Sequence, residues 1–147
     1  PVGDYANPTI CDEQNLLEVN KVLEIAEIKK ADFKEILADL KSNSFAYFDP
    51  PYRPISKTAN FKAYNQQGFA DKEQLQLAQL FKQIDLEGTK VMLSNSDPKN
   101  INPDDNFFDE IYSDFNIVRV PARRMINSDP TKRGVINEIV VTNYAII

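Results

Sequence analysis

The feature that most constrains this chain is the octapeptide 45–52, in which an apolar run stops at an acid, two prolines and a tyrosine. Its first four residues, Phe-Ala-Tyr-Phe, are too few for a helix and rich in aromatic side chains, so they predict a short buried strand. Pro50 and Pro51 have no N–H to pair and restrict the preceding residue to extended geometry, so this strand ends at Asp49. The Asp49 carboxylate, the Pro50 carbonyl and the Tyr52 ring are therefore predicted to share one stiff turn at the carboxyl end of a strand, where open α/β sheets bind ligands.

Such a turn offers hydrogen-bond acceptors beside a flat ring, which suits a planar group that carries an NH2. An exocyclic amine on a base is a poor nucleophile, because its lone pair is delocalised into the ring. If Asp49 and the Pro50 carbonyl accept its two N–H bonds while Tyr52 stacks on the base, the lone pair can localise and point towards an electrophile. This chemistry needs no nucleophilic side chain and no metal. For the tetrapeptide alone, the alternative is a Pro-Pro turn that closes a strand beside an incidental acid.

The letters D-P-P-Y are the motif of amino-methyltransferases, and the chain resembles the Dam-type and DpnII-type DNA adenine methyltransferases. The motif continues as "PPYRPIS.TANF..Y", and "RR.IN.....R....E....NY" follows near the end of the chain; both strings are similar to that family. The resemblance implies a Rossmann-like, S-adenosylmethionine-dependent fold. It also implies methyl transfer to N6 of an adenine flipped out of double-stranded DNA, with GATC as the expected site. Asp49, Pro50 and Tyr52 are the implied catalytic residues.

The pair Asp32-Phe33 is the candidate cofactor site. It follows a stretch, 24–28, that predicts a strand by alternation, although a continuing helix also fits. From the residues alone, Asp32 and Glu35 form a capping box, and Phe33 begins the apolar stripe of a helix. The resemblance implies that Asp32 and Phe33, together with Asp49, hold S-adenosylmethionine. The two interpretations are compatible, because an exposed acid and free backbone N–H groups meet where a helix begins.

Two polar segments are the candidate DNA contacts. The formal charge of −5 is unusual for a protein that binds nucleic acid, but basic residues gather near the end of the chain. The resemblance places the loop after the motif and this basic loop against the DNA backbone around the target base. The implied DNA-binding residues are Ser56, Thr58, Asn60, Arg123, Arg124, Asn127, Lys132 and Arg133. From the charge pattern alone, the basic loop is equally a solvated hairpin between edge strands.

Composition narrows the class of protein. A chain of 147 residues with 42% hydrophobic residues can bury one domain core. No apolar segment approaches the roughly 20 residues that span a bilayer, so no membrane partner is expected and the cytoplasm is the expected compartment. One cysteine and no histidine argue against a disulfide and a zinc site.

The predicted order of elements is strand, helix, strand, helix, strand, helix, strand, strand. This order implies an α/β fold with a mostly parallel sheet and a final hairpin. A helix is predicted to begin after Asp12, and a second, with Asp71 and Gln74 as a capping box, is predicted over 71–85 as scaffold without chemistry. The strands other than 24–28 are predicted at 45–48, 90–95, 117–120 and 136–144.

The positions of the glycines indicate that this chain resembles only one part of the family's sequence. No two of the four are closer than twenty residues, so no Gly-rich loop lets the backbone approach a cofactor. In the family this loop lies upstream of the target-recognition region. Residues 1–147 are therefore expected to be the C-terminal part of a methyltransferase domain, with 1–10 as the end of the recognition region. A missing N-terminal half is the expected protein partner, and the chain alone is expected to be inactive.

Three rival functions stay open at this point. An RNA guanine-N2 methyltransferase also presents D-P-P-Y, and a protein-glutamine methyltransferase usually has Asn where Asp49 stands. Neither is expected to combine the "RPIS.TANF" loop with a basic tail. The third rival is a nucleic-acid-binding or structural module without catalysis. Methyl-transfer assays with and without an upstream half would distinguish such a module from an enzyme.

Overall fold

The computed structural model describes residues 11–41, 43–54, 69–123 and 135–146, and of Arg123 it describes only the backbone. Residues 1–32 and 33–147 form two compact units. Among the described residues, no helix combines the length and the apolar character that crossing a membrane requires.

Within the first unit, the described structure is one helix. Helix α1 spans Glu13–Ile25, and the Asp12 carboxylate caps it by accepting a hydrogen bond from the Asn15 N–H at 3.1 Å, as predicted. None of the residues of α1 is buried. The predicted strand at 24–28 is wrong, because Ile25 ends the helix and residues 26–32 form neither helix nor strand. Five alternating residues are too few to outweigh a helix that has already been nucleated and capped.

The second unit holds the sheet. Its elements are a 3-10 helix at Phe33–Ala38, strand β1 at Phe45–Phe48, helix α2 at Asp71–Leu86, strand β2 at Lys90–Ser96, a 3-10 turn at Pro98–Asn100, helix α3 at Phe107–Ile111, strand β3 at Asn116–Arg123 and strand β4 at Val135–Thr142. The strands predicted near these positions are confirmed, with changes at their ends. The amphipathic helix predicted from Phe33 is a short 3-10 helix instead.

The four strands form one mixed sheet in the order β1-β2-β4-β3. Strands β1 and β2 are parallel, with α2 as the connection between them, whereas β4 is antiparallel to both β2 and β3. The prediction of a mostly parallel sheet is therefore wrong, since two of the three pairings are antiparallel. The physical reason is the position of the last strand: β4 lies between β2 and β3 and runs opposite to both neighbours.

Helix α2 covers one face of the sheet. Leu77, Phe81 and Ile84 belong to the same buried cluster as Val91 and Leu93 of β2. Each such side chain contributes roughly 1.5–3 kcal/mol by leaving water. The helix ends near the predicted point, just before Gly88, whose φ of 75° is in the region that favours glycine.

The start of α2 differs from the predicted capping box. The N-cap is Ala70, and the Glu73 carboxylate accepts a hydrogen bond from the Ala70 N–H at 2.9 Å. Asp71 is the first residue of the helix, so it does not cap. Gln74 is fully buried instead of serving the helix end.

The opposite face of the sheet is open within the part of the chain that the structure describes. Cross-strand pairing puts Phe45 and Tyr47 of β1 on the same face as Val118 and Val120 of β3. These four side chains are 39% to 54% exposed. Within the described residues, this face of the sheet therefore presents apolar side chains to solvent, whereas the solvated face of a sheet with antiparallel pairs usually carries polar residues.

Candidate active site

The predicted corner lies where β1 and β2 end side by side. Phe48 is opposite Leu93 in the parallel pair, which places Asp49 beside Ser94 of β2. The Ser94 hydroxyl donates a hydrogen bond to Asp49 Oδ1 at 3.1 Å, and the Tyr47 hydroxyl lies 2.9 Å from Ser94 Oγ. Because the Ser94 proton points at the carboxylate, Tyr47 is the donor to Ser94. Asp49 itself is exposed, so its carboxylate can be reached from solvent.

Tyr52 stands next to this carboxylate with 37% of its surface exposed. Burial raises the pKa of its phenol, interaction with the Ser94 hydroxyl opposes this rise, and the negative charges of Glu138 and Asp49 add to it. The phenol is therefore neutral at physiological pH. A partly exposed, neutral ring of this kind can stack on another planar ring.

Two buried amides hold the backbone around Tyr52. Gln74 Nε2 donates to the Pro51 carbonyl at 3.2 Å, and Asn95 Nδ2 donates to Gln74 Oε1 at 3.2 Å. The Arg53 N–H donates to Asn95 Oδ1 at 3.0 Å. Neither amide side chain has exposed surface. The backbone is thus fixed immediately before and immediately after the tyrosine.

The sequence interpretation missed Gln74, which it assigned to a helix cap. The spacing of Gln74 from the apolar residues of α2 could have predicted that it is buried. Gln74 precedes Leu77 by three residues and Phe81 by seven, so it lies on the apolar face of α2. A polar residue on such a face is buried with a hydrogen-bond partner, and here the partner is the Pro51 carbonyl of the turn.

Arg53 connects the turn to helix α2 and to the residues that precede helix α3. Its guanidinium lies 2.8 Å from Asp71 and 2.8 Å from Asp105, and it packs over the Phe107 ring at 4.4 Å from the centroid. The Ser96 hydroxyl also donates to the Arg53 carbonyl, at 2.6 Å. Burial acts to raise the pKa of Asp105, but its hydrogen bond and ion pair with Arg53 bring the pKa below the usual value. The residue that follows Tyr52 is therefore held by backbone and side chain together.

The two candidate cofactor residues belong to different units of the chain. Asp32 is exposed at the end of the first unit. Phe33 opens the second unit and packs edge-to-face on Phe69, with ring centroids 5.7 Å apart. The packing role of Phe33 is confirmed, and the cofactor role of the pair stays a prediction. A nearby cleft of about 290 Å³ contains none of the predicted site residues; it is lined by Lys34, Gln76, Gln79, Leu80 and Gln83.

Most of the candidate DNA contacts fall outside the described residues: Ser56, Thr58, Asn60, Arg124, Asn127, Lys132 and Arg133. Arg123 is the last residue of β3, and only its backbone is described. Arg119 of the same strand pairs with Asp97 at 3.0 Å and with Asp109 at 2.8 Å, so its charge is used inside the fold. In the described ranges, no group of three or more acidic or cysteine side chains could hold a metal ion.

Comparisons with known proteins show the family of this chain. Residues 1–126 match the family model for D12 class N6 adenine-specific DNA methyltransferases. The type II methyltransferase M.MjaIII of Methanocaldococcus jannaschii is 43% identical over 146 residues, which are 98% of this chain and 48% of that protein. M1.LlaDCHI of Lactococcus lactis subsp. cremoris, also a type II methyltransferase, is 38% identical over 98% of this chain and 49% of its own length. A DNA adenine methylase of Vibrio cholerae is 31% identical over 95% of this chain and 48% of its own length. The chain spans about half the length of these curated relatives.

Proposed function

This chain belongs to the family of D12 class N6 adenine-specific DNA methyltransferases, and we propose that it holds the target adenine and aims its amine during methyl transfer. The observation that carries the proposal is the corner at 49–52. It combines an exposed carboxylate, a proline carbonyl and a half-exposed ring within four consecutive residues. Among the described residues, no hydrogen bond engages the Pro50 carbonyl, which leaves this acceptor available to a substrate.

The mechanism follows from the acceptors of this corner. Ser94 occupies Asp49 Oδ1, so Asp49 Oδ2 and the Pro50 carbonyl are the atoms that accept the two N–H bonds of the amine. These bonds localise the nitrogen lone pair and turn it away from the corner, while the carboxylate stabilises the positive charge that develops on nitrogen. Tyr52 stacks on the base and keeps it in the plane that these acceptors require.

The cofactor is part of the proposal. S-adenosylmethionine, when bound, supplies the methyl group as an electrophile. The residues of this chain fit one part of its site, since Asp32 is an exposed acid and Phe33 a partly buried ring. We assign these two residues, with Asp49, to holding it. The glycine distribution provides no Gly-rich loop in this chain, so the remaining contacts have to come from elsewhere.

The proposed substrate is double-stranded DNA, with GATC as the expected site. The target adenine has to leave the stack, at a cost of a few kcal/mol that stacking on Tyr52 and two hydrogen bonds offset. The basic loop is proposed to contact the phosphates on either side. Replacing Arg124 and Lys132 by Ala is expected to weaken binding to all DNA sequences and to flatten its salt dependence, whereas Lys82→Ala leaves the slope unchanged. Equal slopes in all variants would contradict this contact.

The proposed protein partner is a polypeptide that corresponds to the part of the curated relatives that this chain does not cover. Strand β1 pairs with one neighbour among the described residues, and the sheet face around Phe45 and Tyr47 is exposed. A polypeptide that continues the sheet beside β1 and covers this apolar face would pair the edge strand, bury the exposed side chains and supply a Gly-rich cofactor loop. Protection of the β1 amides from hydrogen exchange when that half is present supports the pairing. Unchanged exchange rates in β1 would argue against it.

The decisive experiment is the substitution Asp49→Ala in the complete protein. We expect methyl transfer to fall below detection while DNA affinity changes little, because the acid acts on the amine and not on the phosphates. Asp104→Ala, which removes an exposed acid in the same unit, is the matched control and is expected to retain full activity. A near-normal rate in Asp49→Ala would overturn the proposal. Normal DNA binding without any transfer by the unaltered protein would instead favour a non-catalytic module.

A further inference from the structure

We propose that Gln74 and Asn95 are positioning residues for the methyl transfer, because they set the orientation of the Pro50 carbonyl and the Tyr52 ring. The inference rests on the proposed function and adds residues outside the motif. Neither side chain is placed to touch the base. Both act through the backbone atoms on the two sides of Tyr52.

The two amides are satisfied by one another and by the turn. Gln74 uses its donor on the Pro51 carbonyl and its acceptor on Asn95. Asn95 Oδ1 accepts from the Arg53 N–H at 3.0 Å and from the Ser96 N–H at 2.9 Å. A hydrogen-bonded path therefore runs from helix α2 through strand β2 to the residues that flank Tyr52.

The prolines explain why the turn needs side chains from elsewhere. Pro50 and Pro51 cannot donate hydrogen bonds, so these two residues can be fixed only through their carbonyls. Gln74 binds the Pro51 carbonyl, and Asn95 binds the Arg53 N–H. Because Gln74 engages Pro51, the carbonyl of Pro50 is the one that remains for a substrate amine.

A buried amide pair contributes little to stability compared with apolar side chains of the same shape. Its specific effect is geometric, since each bond has a direction and a length. A displacement of about 1 Å in a positioned group can lower a rate by about a hundredfold. We therefore expect loss of this pair to change kcat far more than it changes the affinity for DNA.

The other end of β2 provides a matched control. Asn143 Oδ1 accepts from the Val91 N–H at 2.8 Å, and its Nδ2 donates to Asp85 at 2.8 Å and to the Thr89 carbonyl at 2.9 Å. These three bonds, like the four of the amide pair, are made by side-chain amides, and both sets include bonds to backbone groups. They lie at the start of the strand, whereas the corner lies at its end.

The experiment compares Gln74→Met with Asn143→Ala in the complete protein, by steady-state kinetics well below the melting temperature of each variant. We expect Gln74→Met to lower kcat by roughly tenfold to a hundredfold with little change in KM for DNA. Asn143→Ala is expected to keep kcat within about twofold, since its bonds are far from the reacting atoms. Equal kcat values in Gln74→Met and the unaltered protein would overturn the inference, and so would equal losses in both variants.

A second measurement covers the case in which Gln74→Met does not fold. Asn95→Ser shortens the side chain that binds the Arg53 N–H, and hydrogen exchange then reports on this amide directly. We expect the Arg53 amide to exchange at least tenfold faster and kcat to fall, while the Val91 amide is unaffected. Faster exchange at Arg53 with full kcat would overturn the inference. If the unaltered protein transfers no methyl group to DNA, the proposed function fails instead.

Discussion

The two ends of strand β2 are held by the same kind of bond with different consequences. At the amino end, Asn143 ties Val91 to the end of helix α2. At the carboxyl end, Asn95 and Gln74 tie the strand and the start of the helix to the turn after β1. Both networks are made of side-chain amides that bond to backbone groups.

The difference lies in what each network holds. The amino-end network joins elements that also pack on each other, so its bonds add to a contact that already exists. The carboxyl-end network holds a segment that has left the sheet and that presents Asp49 and Tyr52 outward. An exposed segment has few packing contacts of its own, so directional bonds decide its geometry. The same kind of hydrogen bond therefore stabilises the fold at the amino end of β2 and orients the site at the carboxyl end.

The strongest test of this comparison is Asn143→Ala at the amino end. The variant loses three hydrogen bonds, each worth about 1 kcal/mol, so the free energy of unfolding is expected to fall by about 3 kcal/mol. Urea denaturation measures the change. The exposed Asn106, whose side chain makes no capping bond, is the control, and its replacement by Ala is expected to have little effect. Equal stability of the two variants would show that the amino-end network does not stabilise the fold.

The next test removes the ion pairs of Arg53 at the carboxyl end. Arg53→Met is expected to lower the free energy of unfolding by about 2 kcal/mol at pH 7, since two carboxylates lose their partner. Because the pKa of Asp105 is below its usual 3.8 in the fold, the part of this contribution that comes from Asp105 is present above that value and is lost as the pH falls through the folded pKa. In urea denaturation, the two proteins should therefore differ less at pH 3 than at pH 7.

Lys82→Met is the control for Arg53, because it breaks an exposed ion pair with Asp114. Such pairs contribute about 0 to 1 kcal/mol. A loss in Lys82→Met as large as that in Arg53→Met would mean that the position of Arg53 in the turn has no special effect.

A smaller effect is expected from Ser94→Ala, which removes the hydroxyl that orients the Asp49 carboxylate and that also contacts Tyr47 and Tyr52. We expect kcat to fall roughly tenfold, which corresponds to about 1.4 kcal/mol in the barrier. The measurement is single-turnover methyl transfer, with Ser113→Ala on the surface as the control. An unchanged rate would show that Ser94 does not orient the site, and the amide pair would then be the main group that does.

The smallest effect concerns a buried polar group that belongs to neither network. Among the described residues, the Tyr112 hydroxyl has no hydrogen-bond partner, and burial raises the pKa of this phenol. Tyr112→Phe is expected to raise the free energy of unfolding by about 1 kcal/mol at pH 7. Since the unfolded phenol ionises near pH 10 and the folded one does not, the unaltered protein loses stability above that pH, and the variant loses less. A less stable variant would contradict the lack of a partner.

Local signals predicted several elements correctly. The prolines end β1 at Asp49, and Asp12 caps α1, because these effects act over a few residues. The stripe of α2 was also readable from its spacing. The strand at 24–28 and the mostly parallel sheet were wrong, since alternation over five residues does not decide between helix and strand, and strand pairing depends on distant residues.

The sequence by itself determined the stiff turn, its acceptors and the resemblance to the adenine methyltransferases, because each of these depends on residues that are neighbours along the chain. Only the tertiary structure decided that β4 lies between β2 and β3, and that Gln74 and Asn95 meet at the turn. Those contacts join residues more than twenty positions apart. Spacing within one segment cannot reveal them, since they form only when the helix and the strand pack together.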